Sequence, residues 1–166
     1  EINPVSIIRL GEGSTMTIET NQLGGVDYSS RETKAYLKND STLEVKEKIL
    51  TSNFNVAKTN FKVYLQGKNS KCNIISRSVA RDESEQTFKS ELIGKNECFG
   101  HVECDGIVLE NSKIDSAPKV SAHSSQASLS HEAAIGKIAS EQIMKLMTLG
   151  LSEKQAEEKI IEGFLK

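Results

Sequence analysis

The chain has 166 residues and a net charge of −2, with 21 Lys and Arg against 23 Asp and Glu. That length predicts one domain with a real core, and the charge balance supplies no basic surface for nucleic acid. Trp is absent and Phe numbers five, so Ile, Val, Leu and Ala must fill the core.

The first residues, Glu1-Ile2-Asn3-Pro4, carry no basic n-region, no apolar h-region and no initiator Met, which predicts a fragment or a trimmed chain. Gly11-Glu12-Gly13 and Gly24-Gly25 read as turns. Leu43-Glu44-Val45-Lys46 alternates apolar and polar, as do Phe61, Val63 and Leu65 with Lys62, Tyr64 and Gln66; both predict strands. The alternating Lys and Glu at 44–48 and 153–159 read as solvated faces. Asn73-Ile74-Ile75, Phe88 to Ile93, and Val102 to Leu109 are further strand candidates.

Breaks fall at Gly67-Lys68-Asn69-Ser70, Gly94-Lys95-Asn96 and Glu110-Asn111-Ser112-Lys113. This rhythm fits a sandwich, a barrel or a solenoid. Buried-looking runs such as Ile107-Val108-Leu109 lean toward the solenoid, although no repeat of fixed period stands out. Cys98, in Lys95 to Gly100, is placed in a turn.

The pattern changes near Gly136. Ser140 is the expected N-cap of a first helix, with Glu141 in its first turn and Ile143, Met144, Leu146 and Met147 following. Gly150 stands where a C′ residue is wanted. Ser152 and Gln155 form a capping box for a second helix, whose Ala156, Ile160, Ile161 and Phe164 share one face. So short a link predicts an αα-hairpin with these apolar stripes as its core.

The three cysteines, Cys72, Cys98 and Cys104, are an odd number without a close pair, which speaks against a disulfide framework and fits a reducing cytosol. No Cys-x-x-Cys spacing is present for a zinc ribbon or a ferredoxin site. No Walker A motif is present for ATP hydrolysis, and no Gly-x-Ser-x-Gly elbow for acyl transfer. No run of about 18 apolar residues predicts a membrane helix. His101 and His123 read as ordinary polar positions.

Several short motifs in the C-terminal part occur together and in order. They are His101-Val102-Glu103-Cys104-Asp105-Gly106, Ser130-His131-Glu132-Ala133-Ala134, Ser140-Glu141-Gln142, Gly150-Leu151-Ser152-Glu153 and Glu162-Gly163-Phe164. The set resembles the C-terminal signature of the SufB/SufD family, the scaffolds of SUF iron–sulfur cluster assembly, most strongly over 72–166. The resemblance implies a mainly β chain, a right-handed parallel β-helix over 1–136 followed by a helical hairpin over 137–166. At about 20–25 residues per rung, residues 5–135 would make five or six rungs.

The resemblance also implies a function. Cys104 matches the family's scaffold cysteine, a soft thiolate ligand suited to iron and sulfide; on local pattern alone it is a small core residue on the face of Val102. His131 is implied as an imidazole ligand, and Glu132 as an oxygen ligand or proton acceptor. Adjacent side chains on a strand point to opposite faces, so His131 and Glu132 are not expected to face the same iron. Cys104 and Glu132 stand 28 residues apart, about one solenoid turn, and are expected to share a site. Too few ligands per chain are available for a cluster, so two chains are needed. Cys104 and Glu132 place the chain nearer SufB, while Ser130 stands where SufB usually has an acidic residue.

The implied role is a non-enzymatic cytoplasmic scaffold holding a transient iron–sulfur cluster. Its implied partners are a SufC-type ABC ATPase, docked on the C-terminal helices, and a second copy or a SufB/SufD paralogue. The rival reading is a β-solenoid that organises partners and binds no cluster.

Overall fold

The computed structural model describes residues 1–166. Ten strands precede two helices: β1 (Val5–Leu10), β2 (Thr15–Gln22), β3 (Tyr28–Leu37), β4 (Thr42–Thr51), β5 (Val56–Leu65), β6 (Ser70–Ala80), β7 (Glu85–Gly94), β8 (Cys98–Val108), β9 (Lys113–Ala122), β10 (Ala127–Gly136), α1 (Ser140–Met147) and α2 (Glu153–Phe164). The odd strands form one five-stranded sheet and the even strands the other; every pairing within them is parallel. No strand pairs with its neighbour in the chain. Each pairs with the strand two further on, as Val5 with Glu32, Arg31 with Thr59 and Thr42 with Lys71.

This is the expected parallel β-helix, of about five turns. The rung is larger than 20–25 residues, because each turn holds two strands of about ten residues and two tight corners; equivalent residues stand 27 to 29 apart. Cys98 correspondingly opens β8 and is buried rather than exposed in a turn.

The corners repeat a device that hydrophobic patterning does not reveal. The hydroxyls of Ser14, Ser41, Ser70, Ser84 and Ser112 each donate to the carbonyl three residues earlier. Just before these serines, Gly13, Asp40, Asn69, Asp82 and Glu110 take positive φ, a region that Asn, Asp and Gly tolerate best. Corners also cap one another: Asp82 accepts the Asn53 N–H at 2.7 Å, and Glu110 accepts the Asp82 N–H at 2.9 Å. At Gly67 an added Cβ would lie 2.0 Å from the Asn39 nitrogen, so only glycine lets these two corners stack.

Within the solenoid, alternation sends every second side chain inward. In β4 these are Leu43, Val45, Glu47, Ile49 and Thr51. Leu37, Val63, Leu65, Ile74, Leu92 and Val102 join Leu43 and Val45 in one core cluster between the sheets. A buried side chain of this size stabilises the fold by about 1.5–3 kcal/mol.

The two helices are present as expected and contact one another, but the start of α1 and the core of the pair differ from expectation. Ser152 and Gln155 do form the capping box, Gln155 N–H donating to Ser152 Oγ at 3.3 Å and Ser152 N–H to Gln155 Oε1 at 2.9 Å. Gly150 has φ +94°, as a chain reversal there requires. The N-cap of α1, however, is Ala139, with no side-chain bond; Ser140 is already helical. More important, α1 buries no residue.

The core of α2 is shared with the outer face of the even sheet, where Ile161 packs with Val79 and Leu109. Arg81 secures it by ion pairs to Glu157 at 3.3 Å and Glu158 at 2.8 Å, and Arg77 donates to the Phe164 carbonyl. Neither helix is long and apolar enough to cross a membrane.

Candidate functional site

β8 and β10 lie side by side at the C-terminal end of the solenoid, in a register that fixes each candidate side chain. Cys104 pairs with Ala133, His131 with Val102, and Glu132 with Glu103. Val102 and Cys104 point inward and are buried, so His131 and Ala133 share the inward face. Glu132 and Glu103 point outward. The expected division of His131 and Glu132 between two faces is therefore what the register gives. Cys104 and Glu132 do stand one turn apart, but the sheet lies between their side chains.

Exposure divides the set again. Cys104 is fully buried, and burial pushes its thiol above the ordinary range, with Asp105 and Glu47 adding to the rise and the nearby Ser116 hydroxyl easing it. His131 and Glu132 are exposed, because β10 is the edge strand and nothing stacks on it. No three His, Cys, Asp or Glu side chains stand close enough to hold a metal ion together. The inward side chains of β10, from Leu129 through His131 and Ala133 to Ile135, form the open end of the solenoid. On its outer face, Ser130 Oγ lies 2.9 Å from His101 Nδ1.

The other thiols are plainer. Cys72 is fully buried, and burial, reinforced by Glu44, pushes it up to about 12. Cys98 is also raised by burial.

Sequence reasoning missed a buried charge. Glu47, in a Lys-Glu alternation that reads as a solvated face, is 1% exposed. Its Oε1 accepts from Arg31 at 2.8 Å and Thr59 at 3.0 Å, and its Oε2 from Ser76 at 3.1 Å. The signal was available: Glu47 holds the same parity in β4 as Leu43, Val45 and Ile49.

α1 and the turn after it present an unburied apolar surface. Met144 is 56% exposed, Met147 42% and Leu149 76%.

A family model described as the SufBD core domain of SUF-system FeS cluster assembly matches residues 5–164. Among curated proteins, an iron–sulfur cluster assembly SufBD family protein of Methanocaldococcus jannaschii is 31% identical over 169 residues, covering 99% of this chain and 52% of its own length. One of Archaeoglobus fulgidus is 34% identical over 168 residues, covering 100% of this chain and 45% of its own. One of Pyrococcus horikoshii is 35% identical over 126 residues, covering 75% and 39%. The chain thus spans about half the length of the first two relatives.

Proposed function

This chain belongs to the SufBD core family of SUF iron–sulfur cluster assembly proteins, and we propose that it serves there as a non-catalytic cytoplasmic scaffold on which a cluster is built and handed on. The cluster is its cargo. The observation that carries the proposal is the open end of the solenoid, where His131 and Ala133 share the bare inward face of β10, with Cys104 one strand beneath Ala133 and Val102 beneath His131. Cys104, His131 and Glu132 are the proposed ligand set, completed by a second copy or a SufB/SufD paralogue. Iron held by so few strong ligands is labile, which suits transfer; four enclosing thiolates would retain it.

The edge strands support pairing through β10. In β9 the N–H groups of Lys113 and, just beyond the strand, His123 point to the β7 side, so alternation places Pro118 where its missing N–H interrupts the open edge. β10 has no such interruption. The exposed Met144, Met147 and Leu149 support α1 as the dock for a SufC-type ATPase.

The complete burial of Cys104 favours a second reading, an organising solenoid that binds no cluster. Anaerobic reconstitution with ferrous iron and sulfide separates the two. The parent chain should gain visible charge-transfer absorption, and Cys104→Ser should lose it. Equal absorption in both would leave the organising solenoid as the answer.

A further inference from the structure

The net charge of −2 conceals an uneven surface. On the outer face of the odd sheet, register lays the side chains in rows across the strands. One row runs Arg9, Tyr36, Tyr64, Ile93 and Ser121; the row before it runs Ile7, Lys34, Lys62, Glu91 and Lys119. Just past the strand ends, Lys38 and Lys95 continue the ladder. This half of the face therefore holds six cations and one carboxylate. The other half is balanced, with Lys58, Lys89 and Lys113 against Glu32, Glu85 and Asp115.

Glu91 is already shared between Lys62 at 2.7 Å and Lys119 at 3.1 Å. Arg9, Lys34, Lys38 and Lys95 are exposed and make no ion pair. Glu12 stands at the corner beyond Lys38. Nothing in the chain uses this surface, since α2 packs on the outer face of the other sheet.

The centre of the basic half is apolar. The Tyr36 and Tyr64 rings stack 4.9 Å apart and 2° from parallel. Arg9 lies 5.5 Å from the Tyr36 centroid, and Lys62 and Lys95 each lie 5.7 Å from that of Tyr64. Tyr and Arg are the side chains that most often anchor protein interfaces. Here the stack and its cations hold the rings in place, so docking on them costs little further ordering.

The layout also selects the class of occupant. From β1 to β9 is four inter-strand steps, about 19 Å, too wide for one small anion to meet these cations together. Both tyrosines have ring faces taken up by each other and by cations, which leaves no open platform for unstacked bases. Ile7 is the one large apolar side chain in these rows that is mostly exposed, too little to enter a lipid surface. A protein surface can match a ring of cations around an apolar centre, with complementary charge steering the encounter.

We propose that the basic half of this face docks an acidic protein, whose Asp and Glu side chains meet Arg9, Lys34, Lys38 and Lys95 while an apolar side chain packs on Tyr36 and Tyr64. The site is separate from the open end and from α1, so it stands or falls apart from cluster reconstitution and from ATPase docking.

The test uses the full chain and a fluorescein-labelled helical peptide that carries Glu around a central Leu, read by fluorescence anisotropy. The probes compared with it are the same peptide with Gln for Glu, an oligodeoxythymidylate, and phosphatidylglycerol vesicles. The Glu peptide should bind, and its affinity should fall as salt rises; the Gln peptide should not bind. Lys34→Glu with Lys95→Glu should weaken binding by about tenfold or more. Lys58→Glu with Lys89→Glu makes the same change of charge on the balanced half and should stay within about threefold of the parent. Tyr36→Ala, which changes no charge, should also weaken binding. All five positions point away from the core, and circular dichroism should be unchanged.

No binding of the Glu peptide overturns the proposal. Equal losses in the two lysine pairs overturn it too, because net charge alone would then account for the binding. Full affinity in Tyr36→Ala removes the apolar centre and with it the docked arrangement. Tighter binding of the oligonucleotide or of the vesicles would make the face a nucleic-acid or a lipid surface instead.

Discussion

Cys104 and Glu132 lie one solenoid turn apart yet on opposite faces of the same sheet, Cys104 beneath Ala133 and Glu132 beside Glu103. The two carboxylates occupy directly paired positions, where like charges repel. Glu132→Ala should therefore stabilise the isolated chain by roughly 0.2–1 kcal/mol in urea unfolding, while weakening cluster absorption after reconstitution. A destabilised variant would mean that Glu132 does not stand against Glu103 on the outer face.

Alkaline stability should follow Cys72. The folded chain keeps this thiol protonated to about 12, against an ordinary value of 9.0. Between those limits the folded state binds more protons than the unfolded state, so stability falls as pH rises through the window. The loss is at most about 4 kcal/mol, from about 1.36 kcal/mol per unit. Cys72→Ala should flatten this part of the profile relative to the parent. Equal slopes would show that the thiol ionises without opening the core.

Docking should respond to α1 without a loss of fold. Met144→Glu, Met147→Glu and Leu149→Glu together alter side chains that lie largely in solvent. Co-purification with a SufC-type ATPase should disappear while circular dichroism and the unfolding midpoint stay put. Retained co-purification would move the dock elsewhere. Ile161→Asp should instead free α2 from Val79 and Leu109, raising hydrogen exchange over Glu153–Phe164.

Self-association should depend on one edge strand. Ala133→Pro removes an N–H that points to the open side of β10 and spares the ladder to β8. It should shift sedimentation from dimer to monomer. Val120→Pro makes the same change on the β9 edge, which Pro118 already interrupts, and should leave the dimer intact. If both variants remain dimeric, pairing does not run through these strands.

Core truncation sets the scale for the others. Leu92, fully buried in the main cluster, should cost about 2–5 kcal/mol on replacement by Ala. Phe54, 75% exposed at a corner, should tolerate Ser within about 0.5 kcal/mol. Urea midpoints at constant m-value check both.

The strands over 43–46, 61–66, 73–75, 88–93 and 102–109 were legible because alternation marks an inward face. The Ser152–Gln155 box was legible because capping is local chemistry. The turn length was not. Its marker is the serine at 41 and 70, or at 84 and 112, which repeats in the corners while the apolar content of each strand varies. Glu47 was read as solvated because its neighbours Lys46 and Lys48 are charged; only strand parity places it inside. The Met144 and Met147 stripe had a correct period, but periodicity does not name the surface that covers it. His131 to Gly136 are bare in the structure, since burial there depends on a further strand.

Pairing every strand with the one a full turn away also shapes how the chain folds. No hairpin offers a cheap local start, so the first sheet contacts must close loops of 27 to 29 residues. That places the molecule among slow folders for its size. Once two turns have met, each further turn adds to a template on one side alone, as in a one-dimensional array. The nucleus is expected in β5–β8, where both flanks are available, with growth outward. β10 then orders late and is the first strand to fray, so the cover over Cys104 is the part of the solenoid that opens most readily.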